Sequence, residues 1–259
     1  MIMQTANAFF WKDRFKASGI HLGISIAIAL LAAMLVFGLW YPNPYREISG
    51  GRELFLILML VDIILGPLIT LAIFNRAKPW RELKRDLAMV ALLQLSALGY
   101  GMWTVFVARP VHMVFEYDRF RVVHAVDVPP EMLSSAPRDL VTLPLMGPTL
   151  LSLRPFKDGQ EKMEATMAAL EGLSLSARPD LWQPYAAAKA EIWQASRPVS
   201  ELKTRFASQT AAIDAAIAQS GRNPETVVYL PMVGRKSFWT VLLDPVTAEV
   251  LGFLPLDSF

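Results

Sequence analysis

The chain has 259 residues, no cysteine, a formal net charge of +2, a hydrophobic fraction of 54% and a mean hydropathy of +0.36. A charge this small argues against a nucleic-acid partner, and the lack of cysteine excludes disulfides, thiolate metal sites and cysteine nucleophiles. The apolar residues are concentrated in residues 1–107, whereas residues 108–259 have the composition of an ordinary soluble domain. We therefore expect a membrane domain over residues 1–107 and a second domain over residues 108–259.

Three apolar stretches in the first domain are long enough to cross a bilayer as helices, because a span needs about 20 residues at a rise of about 1.5 Å each. They cover residues 20–40, 54–74 and 87–107. The first is longer than the apolar core of a usual signal peptide, and it ends in aromatic residues rather than at a cleavage site. The sequence predicts a bundle of three transmembrane helices.

Lysine and arginine residues near the span ends predict the orientation. Only two stand between the first and second spans, and the others flank the opposite ends: Lys12, Arg14, Lys16, Arg76, Lys78, Arg81, Lys84 and Arg85, against Arg46 and Arg52. We expect a cytoplasmic N-terminus and a domain over residues 108–259 that lies outside, which is the periplasm if the cell is Gram-negative. Aromatic residues at the outer span ends predict an interfacial belt: Trp40, Tyr41, Tyr45, Trp103 and Phe106.

One carboxyl lies inside the second span. Burying Asp62 in a bilayer costs roughly 2.5–3.5 kcal/mol on insertion scales, so we expect it to face protein or water. Gly66 and Thr70 follow at four-residue intervals on the same helix face, where small side chains allow another helix to approach closely. Asp62 lies about 18 Å from the inner side of the membrane, between Ser96 at about 14 Å and Tyr100 at about 20 Å on the third span. We predict that these five residues form a helix-contact face in which Asp62 hydrogen-bonds to Ser96, Tyr100 or both.

Two roles are open for this face: it joins the three spans to one another, or it meets a transmembrane helix of a partner protein. An intramembrane enzyme is a weaker alternative, because a lone aspartate lacks a second acid or a metal ligand for acid–base chemistry. The three histidines, His21, His112 and His124, lack metal-ligand spacing, and serine-nucleophile and phosphate-loop motifs are missing. We predict no catalytic, cofactor-binding or metal-binding residue.

The second domain opens with strands and closes with strands. Residues 111–128 alternate in polarity around a turn and predict a hairpin, and proline-rich residues 129–156 predict an irregular connection. Three helices are expected next, then three strands: helices at 161–173, 180–194 with Asp180 as N-cap, and 199–220; strands at 226–232, 237–243 and 249–254. This order predicts an α+β domain, with an antiparallel sheet and helices packed on one face.

Several long segments resemble the TfpX/TfpZ family of type IV pilin accessory proteins. The most specific are VDIILGPLITLAIFN at residues 61–75 and RDLAMVALLQLSALGYG at residues 85–101. The likeness begins with RFKASGIHL at residues 14–22, continues to residue 128 and returns in LLDPVTAEVLGFLPLD at residues 242–257. The resemblance implies an inner-membrane chaperone or assembly factor that contacts a major or minor type IV pilin, without catalytic activity or cofactor. It brings no assigned site residues, and no oligomeric state follows from it.

A membrane sensor, in which the exported domain binds a ligand and signals inward, is the alternative function. Against it stands the small cytoplasmic part, which by the predicted spans is only about 19 residues and a loop of about 12 residues. The sequence therefore favours the pilus accessory.

Overall fold

The computed structural model describes residues 2–223 and 225–259, with side chains described from residue 11 onward. The chain forms two compact units. One contains the chain up to Leu39 together with Gly51–Phe106, and the other contains Trp40–Gly50 together with Val107–Phe259. The segment that joins the first two spans thus belongs to the second unit.

The first unit consists of three long helices, as predicted. They are α1 (Ile2–Leu35), α3 (Gly51–Ile73) and α4 (Trp80–Val107), and a short π-helix, Val36–Trp40, continues α1. The candidate spans are Trp11–Trp40, Gly51–Ile73 and Trp80–Val107, each long and apolar enough to cross a membrane. Most of their large apolar side chains are exposed, as a bilayer solvent requires.

The second unit is built on one sheet of eight strands. In chain order they are β1 (Pro110–Glu116), β2 (Arg119–His124), β3 (Thr149–Leu153), β4 (Trp182–Pro184), β5 (Arg197–Pro198), β6 (Val228–Val233), β7 (Phe238–Leu243) and β8 (Val250–Leu254). The spatial order is β4-β3-β1-β2-β6-β7-β8, and β5 pairs with β6. The helices of this unit are α2 (Tyr45–Ile48), α5 (Gly159–Leu170), α6 (Lys189–Ala195), α7 (Val199–Arg205) and α8 (Thr210–Gln219).

The sheet is mixed, so the expectation of a purely antiparallel sheet was wrong. β1 and β2 form the predicted hairpin, but β3 joins β1 in parallel and β6 joins β2 in parallel. Each hairpin strand keeps one free edge, and a long connection can bring the next strand to that edge in either direction. The alternation of polar and apolar residues along a strand does not show in which direction it joins its neighbour.

Both faces of the sheet are covered, not one as expected. Met113 and Phe115 of β1 pack into one core cluster with residues of α2 and α6, while Val114 packs into another cluster on the opposite face. The second face also carries a third cluster, in which α7 and α8 cover Tyr229 and Leu242. Alternate residues of a strand point to opposite faces, so strands buried on both sides read as continuous apolar runs.

The three C-terminal strands are confirmed, but the middle of the domain departs from prediction. β3 lies inside the proline-rich segment that was expected to be irregular. Residues 180–188 form two 3-10 turns and β4 instead of a helix, so Asp180 is not its N-cap. Residues 199–220 are interrupted at Phe206, which separates α7 from a 3-10 turn and α8.

The helix expected at residues 161–173 is confirmed as α5, with both ends moved toward the N-terminus. Its N-cap is Asp158, whose Oδ1 accepts a hydrogen bond from the Glu161 main-chain N–H at 2.8 Å. Such a cap satisfies one of the free donors of the first turn.

The segment of residues 40–50 contributes side chains to the core of the second unit. Tyr41, Tyr45 and Ile48 are buried, and the Tyr45 hydroxyl donates to the Met113 sulfur at 3.5 Å. The Lys236 main-chain N–H donates to the Ile48 carbonyl at 2.9 Å. The assignment of Tyr41 and Tyr45 to an interfacial aromatic belt was therefore wrong, because these rings fill a protein core.

Candidate functional site: a polar face within the helix bundle

The predicted face of α3 is the side of that helix that turns inward. Gly66 and Thr70 are buried, and Asp62 is partly buried. Neighbouring side chains such as Leu60, Leu65 and Leu68 are exposed on other sides of the helix. The four-residue spacing thus separates a polar inner face from an apolar outer surface.

α1 makes two polar contacts with α3 near the C-terminal end of this face, at Pro67 and Thr70. The Ser18 hydroxyl donates to the Pro67 carbonyl at 2.8 Å. His21 Nδ1 is hydrogen-bonded to the Thr70 hydroxyl at 2.5 Å. Ser18 and His21 of α1 thus both bond to α3, and Thr70 joins two helices of its own chain.

α4 meets the face through Gln94. Its Nε2 donates to the Asp62 main-chain carbonyl at 3.4 Å, and a Cβ on Gly66 would collide with the Gln94 side chain. A second close approach lies further along, where a Cβ on Gly101 would collide with Leu58. Small residues at both points therefore let the helices pack closely.

Ser96 and Tyr100 lie elsewhere on α4. Both are exposed, and the Tyr100 side chain is 75% accessible. Among the described residues, neither hydrogen-bonds to Asp62. Matching depths along two helices does not determine which side of α4 faces α3, and Gln94 occupies that side. The sequence reasoning missed Gln94, although an amide inside an apolar span was a usable signal.

A cavity of about 220 Å³ opens among the three helices beside Asp62. Its walls are mostly apolar, with four polar side chains: His21, Ser25, Asp62 and Gln94. The cavity leaves Asp62 partly accessible, whereas His21 is hydrogen-bonded to Thr70 and Gln94 to the Asp62 main-chain carbonyl. The carboxyl can accept a hydrogen bond from a group that enters between the helices, or form an ion pair with it if that group is positively charged.

The histidines of the second unit are held by structural hydrogen bonds. His112 bonds through Nε2 to the Thr142 carbonyl at 2.8 Å and through Nδ1 to the Thr149 hydroxyl at 2.7 Å. Burial lowers the pKa of His112 to about 4, so the ring is neutral at physiological pH. His124 Nδ1 lies 3.1 Å from an oxygen of Asp127, and burial lowers the pKa of this ring as well.

The described residues contain no group of three or more His, Cys, Asp or Glu arranged to hold a metal ion. The polar face thus consists of contacts between helices and of the accessible carboxyl of Asp62.

Known proteins similar to this chain are fimbrial assembly proteins. The family model described as fimbrial assembly protein FimB matches residues 9–50. The serogroup I fimbrial assembly protein of Dichelobacter nodosus is 35% identical over 254 residues, covering 96% of this chain and 98% of that protein. The serogroup E1 protein of the same organism is 34% identical over the same shares. The protein of serogroups C1 and C2 is 40% identical over 121 residues, which is 45% of this chain and 92% of that protein.

No solved structure matches the chain. The whole-length similarity to the two Dichelobacter proteins confirms the resemblance seen in the span segments. The chain belongs to the same family of fimbrial assembly proteins as these two relatives, a type IV pilus accessory family with a role in fimbrial biogenesis.

Proposed function

We propose that the protein is an inner-membrane accessory of type IV pilus biogenesis that acts as a pilin-specific chaperone or assembly factor. Its full-length relatives are named fimbrial assembly proteins, and its three apolar helices suit a resident of the membrane. A pilin awaiting assembly is anchored by an apolar helix and carries a globular head outside. A helix bundle followed by an extramembrane unit can meet both parts.

The observation that carries the proposal is the accessible carboxyl of Asp62 in the intramembrane cavity. An ionisable group in a membrane span raises the free energy of insertion, so its presence favours a functional role for the accessible carboxyl of Asp62. We infer that the cavity receives part of the pilin's transmembrane helix, with Asp62 accepting a hydrogen bond or a positive charge from it. On this proposal Gly66 and Thr70 join the helices of the bundle, and Asp62 meets the client.

The proposed orientation puts the N-terminus and residues 74–79 in the cytoplasm and the second unit in the periplasm. It is supported by the excess of Lys and Arg on the cytoplasmic side. Ala77→Cys and Leu170→Cys test it, since the chain has no other cysteine. A membrane-impermeant maleimide added to cells with a permeabilised outer membrane should label Leu170→Cys alone. Labelling of Ala77→Cys alone would show that the orientation is the opposite of the proposed one.

The proposed activity is binding rather than catalysis. The polar groups beside Asp62 are an amide, a hydroxyl and one imidazole already bonded to Thr70. An acid–base mechanism needs a second group poised near the same reacting atom. We therefore propose that the role of the cavity is to hold a helix.

The contact can be tested with a photo-crosslinking amino acid placed on α4 in pilus-producing cells. Leu98 lines the cavity, whereas Leu92 is 67% exposed on the outside of the helix. We expect the crosslinker at Leu98, but not at Leu92, to capture the pilin. Asp62→Leu should lower pilin recovery about 3–10-fold, the effect of one intramembrane hydrogen bond, while Asp62→Asn should retain more of it.

Two results would contradict the proposal. Equal capture of pilin from Leu92 and Leu98 would remove the cavity as the contact. Recovery of no pilin with the wild-type protein, together with normal piliation of a deletion strain, would remove the accessory role itself.

A further inference from the structure

One segment of the second unit exposes apolar side chains without any charge among them. Residues 140–148 read LVTLPLMGP. Val141 and Leu145 are each 65% exposed and Met146 is 68% exposed. Large apolar side chains grouped in this way mark a surface that contacts a membrane or another molecule.

The exposure is fixed by the fold. His112 bonds to the carbonyl of Thr142 at one end of the segment and to the hydroxyl of Thr149 just past the other end. In the middle, Pro144 is buried and its carbonyl accepts a hydrogen bond from Arg109 Nε at 3.3 Å. A segment held at three points presents its apolar side chains in one arrangement, rather than as a loose loop.

Two of its contacts are with residues next to the ends of the transmembrane helices. Arg109 is the second residue after Val107, the last residue of α4. A Cβ on Gly147 would lie 3.6 Å from Pro42, which is the second residue after Trp40 at the end of the first span. Two residues of extended chain reach at most about 7 Å, so the main chain of Arg109 and of Pro42 lies within about that distance of the span ends.

We propose that residues 140–148 form a membrane-contact loop that places Val141, Leu145 and Met146 in the interfacial layer of the bilayer. Because residues 140–148 carry no charge, insertion of this loop dehydrates no ionised side chain of its own. The ligand is lipid, because Arg109 and Pro42, which lie against the loop, closely follow the ends of two candidate membrane spans. The proposal depends on the three spans and is independent of any pilin.

The chain's lack of cysteine makes a direct test possible. Leu145→Cys and Met146→Cys each give one thiol, to be labelled with a small fluorophore in the full-length protein, purified without pilin and placed in phosphatidylcholine/phosphatidylglycerol nanodiscs. Leu92→Cys, on the outside of α4, is the reference for lipid contact. Val246→Cys, at a side chain that is 85% exposed in the second unit, is the reference for solvent.

We expect nitroxide-labelled lipids to quench the fluorophores at positions 145 and 146 at least half as strongly as the fluorophore at position 92. Aqueous iodide should quench them several-fold less than the fluorophore at position 246. Quenching by iodide equal to that at position 246 would overturn the proposal. Protection from both quenchers would also overturn it, because the loop would then be buried against protein.

Discussion

At the scale of single residues, polar groups in this protein take their roles from partners that are distant in the sequence. His112 is fully buried and holds two points 30 and 37 residues away. The Thr142 carbonyl can only accept, so Nε2 carries the proton and Nδ1 accepts from the Thr149 hydroxyl. This arrangement requires the neutral ring.

The titration of His112 gives a pH prediction. Its pKa is lowered from 6.5 to about 4 by burial, so the unfolded chain binds a proton that the folded chain does not between these values. The contribution of the neutral His112 ring to the free energy of unfolding is complete above pH 6.5. About 3 kcal/mol of it is lost as the pH falls toward 4. Hydrogen exchange of residues 140–149 in the full-length protein, corrected for intrinsic rates, should therefore accelerate on acidification.

Two variants separate His112 from the other buried histidine. His112→Gln cannot titrate, so the exchange of this segment should become nearly independent of pH between 6.5 and 4. His124→Gln should leave the pH dependence of the segment unchanged. If hydrogen exchange of the segment depended on pH as strongly in His112→Gln as in the wild type, another group would be responsible for the pH dependence.

At the scale of elements, the bundle is assembled through small residues and amides inside apolar helices. α3 meets α1 through Thr70 and α4 through Gly66, which Gln94 overlies. Helix association in lipid depends on close packing and hydrogen bonds, because the hydrophobic effect does not distinguish helix from lipid tail. Bulk at a contact point should therefore separate the helices.

Gly66 and Gly99 form a matched pair for this expectation. A side chain on Gly66 would meet Gln94, whereas a side chain on Gly99 would meet open space. Gly66→Leu should lower the thermal unfolding midpoint of the detergent-solubilised bundle by several degrees, as overpacking costs about 1–3 kcal/mol. Gly99→Leu should leave it nearly unchanged, and equal midpoints for both variants would contradict the packing of α4 against Gly66.

Elements with strong local signals were predicted well. The spans, the hairpin and the C-terminal strands depend on composition, alternation and turn residues, which neighbours in the sequence supply. β3, β4 and the break between α7 and α8 depend on pairing or packing with remote parts of the chain. The residues 180–188 illustrate this, since Trp182 pairs with Leu153 in a sheet that local pattern does not reveal.

At the scale of the whole molecule, the second unit takes part of its core from between the first two spans. Tyr41, Tyr45 and Ile48 are buried, and a Cβ on Gly234 would collide with Ile48. Burying one such side chain contributes about 1.5–3 kcal/mol, and a typical domain has a net stability of only about 5–15 kcal/mol. The segment of residues 40–50 is therefore a structural requirement of the second unit.

We predict that residues 107–259 expressed alone are several kcal/mol less stable than the same residues with residues 40–50 attached through a Gly/Ser linker. Urea unfolding followed by circular dichroism measures the difference. An attached segment carrying Tyr45→Ser and Ile48→Ser should restore little stability. Identical midpoints for the three chains would show that the segment is dispensable.

The sequence by itself determined the three spans, the strand–helix–strand order and the accessory family, because each depends on composition, local periodicity or long segments that resemble those of the family. It also located Asp62, Gly66 and Thr70 on one helix face, since helical spacing is a local property. Only the tertiary structure decided that Gln94 rather than Ser96 or Tyr100 meets α3, that β3 and β6 run parallel to the hairpin, and that residues 40–50 complete a core. The physical reason is that helix rotation, strand direction and core membership are fixed by contacts between residues far apart in the chain.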